Sequence, residues 1–149
     1  MKIQYKDQSF QTDAAKAVVD VFAGQPYASN SYKMDPGKVM QGLEFTGWNN
    51  NPIIQELTDP KILYRINEIQ RKNQLKPDDH LFGRYNLTIE METGVGKTFT
   101  YIKTMYELNK AYGWCKFIVV VPSIAIREGV YKTFQTTEDY FALKYQKKI

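Results

Sequence analysis

Glu90-Met91-Glu92-Thr93-Gly94-Val95-Gly96-Lys97-Thr98 is the stretch on which the fold turns. Its Thr93–Thr98 part lies between Leu87-Thr88-Ile89-Glu90-Met91, which reads as a short strand, and a helical stretch carrying Tyr101, Ile102, Met105 and Leu108. A Gly-rich turn in that position suits a phosphate group. Glycine lets the backbone approach anionic oxygens and aim successive N–H groups at them. The helix N-terminus that follows adds unpaired donors and the positive end of its dipole. Lys97 has the length to reach the β- and γ-phosphates of a nucleotide, and the hydroxyl of Thr98 suits Mg²⁺. The strict pattern asks for glycine five residues before Gly96, where this chain has Met91. The strand–loop–helix context carries the reading in spite of that.

Downstream, Phe117-Ile118-Val119-Val120-Val121 is an uninterrupted apolar run, as expected of a strand covered on both faces. A further helical stretch is expected from about Ile124 to Phe134. Strand, helix, strand, helix predicts an α/β fold built on a parallel sheet. Upstream, Phe10, Ala14, Ala17, Val18, Val21 and Phe22 recur at helical spacing over residues 9–23, with Gly24 as a stop. Residues 25–51 are rich in Gly, Pro, Asn and Ser and form the bulk of a long loop at 25–60. Asp59 and Pro60 then open a second helix, which should end before Pro77. The chain thus divides into N-terminal helices with a long loop (1–80) and a phosphate-loop unit (81–149).

The whole is 149 residues, 43% hydrophobic and 24% charged, enough for one domain with a core. No apolar stretch approaches the ~20 residues of a membrane span, and MKIQYKDQSF lacks the apolar centre of a signal peptide. One cysteine, Cys115, excludes an intrachain disulfide and a cysteine metal cluster, and one histidine, His80, excludes a two-imidazole site. A cytoplasmic location is the expectation. Residues 1–60 hold five basic and seven acidic side chains, a net of −2, and residues 61–149 hold fifteen and nine, a net of +6. A basic second half suits an anionic partner, and equally a solvated lysine-rich face.

The shortened loop with Thr93 before its first glycine resembles motif I of the superfamily 2 helicases and translocases. Glu90 through Thr98 is similar to the form found in the Res subunit of type III restriction enzymes. So are Tyr106-Glu107-Leu108-Asn109-Lys110, Tyr112-Gly113-Trp114 and, above all, Val121-Pro122-Ser123-Ile124-Ala125-Ile126-Arg127-Glu128-Gly129-Val130. Phe10-Gln11 with Ala14 resembles that family's adenine-recognition element. The resemblance covers about residues 9–23 and 62–143. It implies an incomplete first RecA-like motor lobe at the N-terminal end of a larger subunit. It also implies ATP and Mg²⁺ as cofactors, with Gln11, Thr93, Gly94, Val95, Gly96, Lys97 and Thr98 around the nucleotide. DNA and a methyltransferase (Mod) subunit are the implied partners, and ATP-driven DNA translocation with cleavage is the implied activity. The acidic box, arginine finger and nuclease carboxylates of the family have no counterpart here; Glu138-Asp139 sits in a polar stretch. Another superfamily 2 motor, acting on DNA or RNA, and a nucleotide-binding module without turnover are the competing readings.

Single residues carry two meanings each. Gln11 has the paired donor and acceptor that an adenine edge needs, and is otherwise a surface glutamine. Pro122 and Ser123 follow an apolar run, where a turn can touch a DNA backbone; Ser123 equally suits a helix cap. Arg127 is the weakest of the DNA candidates. Tyr27, Tyr32, Phe45 and Trp48 offer stacking faces for bases, or pin a loop to the domain. Glu92 suits a loop-shaping role, and Cys115 an inert core position.

Overall fold

A computed structural model describes residues 5–29, 32–33, 47–83 and 85–147. Four helices dominate: α1 (Ser9–Val21), α2 (Asp59–Lys72), α3 (Lys97–Tyr112) and α4 (Ile124–Tyr145). Two-residue strands β1 (Tyr32–Lys33) and β2 (Gly47–Trp48) pair antiparallel, Tyr32 opposite Trp48. Helix α1 lies where its apolar spacing places it, and its chain reverses through Phe22–Gly24. Helix α2 starts as read, with Pro60 in its first turn, although Thr58 takes the cap position and Asp59 the first turn. Pro suits that site because its missing N–H has no intrahelical acceptor there.

Helix α3 is the centre. Its later turns (Leu108, Tyr112) join Val21 and Phe22 of the α1 end, Leu57 and Ile62 in one apolar cluster, against which Trp114 packs. Its earlier turns (Phe99, Ile102, Tyr106) join Phe141 of α4 in a second, flanked by Tyr5, Phe134, Tyr140 and Tyr145. Helix α4 runs 11 residues past Phe134 because Phe134, Thr137, Phe141 and Tyr145 extend one buried stripe at helical spacing.

The expected α/β parallel sheet is not formed. Residues 87–91 and 117–121 have no regular secondary structure and make no ladder, and among the described residues the sheet is confined to β1 and β2. The run read as doubly covered is instead open to solvent, Ile118 being 84% and Val120 87% exposed. A parallel strand needs backbone partners on its flanks and cover on both faces. The chain just before this run finds a side chain in that role: the Asn50 amide accepts from the N–H groups of Cys115 and Lys116 and donates to the Lys116 carbonyl, at 2.8–2.9 Å. The architecture of the described residues is therefore helical, with irregular connections.

Candidate functional site

Residues 93–96 turn between the irregular stretch and α3, and Gly94 and Gly96 stand at φ +82° and +85°. That left-handed region favours glycine, so the turn is one that these two residues permit. Gly96 caps α3; its carbonyl accepts from the Thr100 N–H at 3.0 Å and the Thr100 hydroxyl at 3.1 Å. The N–H groups of the first helical turn have no intrahelical acceptor. Lys97 is exposed and Thr98 half-buried.

Gln11, one turn into α1, is buried, and its Nε2 donates to the Val95 carbonyl at 2.9 Å. Two segments 84 residues apart are thereby joined. A Cβ on Gly96 would stand 2.8 Å from that same Nε2. Around the junction lies a cavity of about 480 Å³, lined by Gln11, Gly94, Val95 and Gly96 together with Tyr5, Lys6, Gln8, Phe10 and Phe99. Most of the sequence-read nucleotide residues therefore meet at one place. Thr93, Lys97 and Thr98 flank it in sequence and do not line it.

Anion binding fits these residues: a glycine turn, a helix N-terminus, and Lys6 and Lys97 beside them. For Mg²⁺ the fit is limited to a nucleotide-borne ion. No cluster of three His, Cys, Asp or Glu side chains exists among the described residues, so Thr98 would be its protein ligand and phosphate oxygens and water the rest.

Sequence reasoning missed the wall formed by Tyr5–Gln8 and the ion pairs behind it. Lys103 of α3 is buried, and its Nζ donates to Asp7 at 3.0 Å and to the Thr12 hydroxyl at 2.5 Å. Lys144 of α4 binds both oxygens of Asp7 at 2.5 Å. Lys144, then Lys103, hold the Asp7 carboxyl down at about 2. Burial opposes the charged Lys144 ammonium, yet Asp7 outweighs it and raises that group. These partners lie 96 and 137 residues apart, beyond the reach of any local pattern.

The DNA candidates stand elsewhere. Pro122 and Ser123 are exposed, and the Ser123 hydroxyl accepts from the Ile126 N–H at 3.3 Å, so it caps α4. Ser123 lies 18 residues before Phe141, about 27 Å along the helix axis. Arg127 is exposed and pairs with the neighbouring Glu128 at 2.9 Å. Tyr27 is exposed and lines a smaller cavity of about 230 Å³ with Tyr106 and Tyr145. Phe45 and the side chains of Tyr32 and Trp48 lie outside the described residues. Glu92 is exposed, and Cys115 is half-buried beside Asn50. No helix among the described residues is long and apolar enough to cross a membrane.

Three restriction-enzyme subunits are similar in sequence. The EcoPI Res subunit of Escherichia phage P1 is 32% identical over 106 residues, 66% of this chain and 10% of its own length. The EcoP15I Res subunit of Escherichia coli is 35% identical over 91 residues, 54% of this chain and 9% of its own. The StyLTI Res subunit of Salmonella typhimurium is 49% identical over 53 residues, 36% and 5%. The chain thus spans a tenth or less of the length of these relatives. The family described as "Type III restriction enzyme, res subunit" matches residues 9–148. With that match over nearly its whole length, the chain belongs to the type III restriction enzyme Res subunit family.

Proposed function

We propose that the chain is the nucleotide-binding portion of an ATP-dependent, DNA-translocating restriction subunit, and that the cavity beside Gly94–Gly96 receives Mg·ATP. One observation carries the reading: the Gln11–Val95 hydrogen bond brings the adenine-reading candidate and the phosphate loop to a single cavity. Gly94, Gly96 and the first turn of α3 would present N–H groups to the phosphates. Lys97 would neutralise them, and Thr98 would ligate the ion. Gln11 spends its Nε2 on the loop, so its part at the base is shared with shaping the turn.

DNA and a methyltransferase subunit are the proposed partners of the longer protein. Turnover is proposed to need groups this chain does not supply. Phosphoryl transfer requires a positioned water and added charge stabilisation, and an arginine finger alone is worth about a thousandfold or more. Glu138 and Asp139 are exposed on α4 and do not line the cavity.

Calorimetric titration of the 149-residue chain tests the site. Lys97→Ala should weaken Mg·ATP far more than adenosine, with the nucleotide recovered intact. Gln11→Ala should reduce the preference for ATP over GTP. Equal ATP affinity in wild type and Lys97→Ala would refute the phosphate site, and DNA-stimulated hydrolysis lost in Lys97→Ala would refute binding without turnover.

A further inference from the structure

Of the segment Tyr5–Gln8 only Gln8 takes part in a helix, as the cap of α1 whose carbonyl accepts from the Thr12 N–H at 3.2 Å, yet three of the four residues line the cavity. Ordering such a stretch costs backbone entropy at each residue, so something must hold it. Two devices do. The Tyr5 ring stacks on Phe99 (5.6 Å between centroids, 21° between planes) and leans on Tyr140 at 5.5 Å. Asp7, which does not line the cavity, takes Lys103 from α3 and Lys144 from α4. Lys103 grips the next residue as well: it donates to the Thr12 hydroxyl, which donates to the Gln8 carbonyl at 3.1 Å. With 1% of its side chain exposed, the Lys103 ammonium must keep these partners, because an unpaired buried charge is costly.

We infer that Asp7 is a positioning residue for the cavity: by bridging Lys103 and Lys144 it fixes Tyr5–Gln8 as one wall, on the side of Gln11 and Phe10. The inference rests on the nucleotide reading above. Its consequence is selective. The wall stands beside the base-reading candidate, whereas Lys97 serves the phosphates, so loosening the wall weakens nucleoside and nucleotide alike. Loss of Lys97 separates them.

The test is calorimetric binding of adenosine and of Mg·ATP to wild type, Asp7→Asn, Asp7→Glu and Lys144→Met, each melted first to establish that it is folded at the assay temperature. Lys144→Met breaks only the half-exposed arm and leaves the buried Lys103–Asp7 pair, so it remains informative where Asp7→Asn does not fold. Lys144→Met and folded Asp7→Asn should weaken both ligands by a common factor of about 3 to 10, the span of one lost hydrogen bond, with Asp7→Glu recovering most of it. Wild-type affinity in folded Lys144→Met or Asp7→Asn overturns the inference, as does a loss confined to Mg·ATP. Wild type that binds neither ligand overturns the nucleotide reading itself, and the positioning role with it.

Discussion

Gly96 meets three demands at once: a left-handed backbone, the cap of α3, and close approach to the Gln11 amide. An alanine there carries the left-handed penalty of about 1–2 kcal/mol. Its Cβ, at 2.8 Å from the Gln11 Nε2, must also push that amide from the Val95 carbonyl. Gly96→Ala should therefore lower the melting temperature by several degrees and weaken Mg·ATP more than adenosine. An alanine variant matching wild type in both would mean that the turn is not the one described. Asp7 answers to pH instead. With its folded value depressed from 3.8 to about 2, its ion pairs contribute in full above the ordinary value and are lost as pH falls through about 2. Loops and single turns of this kind were legible from Gly94, Gly96 and Lys97 alone because their chemistry is local. The Asp7 clamp was not, because its members meet only after α1, α3 and α4 have packed.

Helix α4 behaves differently along its length. Its second half buries Phe141 completely, stacked on Tyr106 at 5.0 Å and tilted against Phe99 at 4.8 Å. Its first six residues, 124–129, are exposed and begin at the Ser123 cap. Phe141→Ala should cost about 3–5 kcal/mol, the range for emptying an aromatic core site. Ser123→Ala should cost about 1 kcal/mol, the usual loss of a cap. Urea unfolding of the two variants checks this, and equal losses would contradict the division. Helices were readable in advance because apolar spacing, Pro60 and the glycines are properties of the segment itself. The strands were not. Leu87–Met91 and Phe117–Val121 have the composition of strands, but a strand exists only with a neighbour, and these find none among the described residues. Asn50 fixes the backbone at 115–116 instead.

At the scale of the molecule, the described residues leave large apolar side chains in water that a folded domain ordinarily covers. Ile118, Val120, Ile124 and Ile126 stand exposed on either side of the Pro122–Ser123 bend. Side chains already hydrated in the folded state contribute nothing new when the chain unfolds. The heat-capacity increment should accordingly fall below the about 2 kcal/mol/K that 149 residues at average burial would give. The urea m-value should shrink in proportion, since both follow the area newly exposed. Scanning calorimetry at low concentration measures the first directly, and an increment at the full value would mean that the 117–121 run is covered in solution. A lowered increment flattens the stability curve, so that cooling weakens the fold less than it weakens a fully covered domain of the same length.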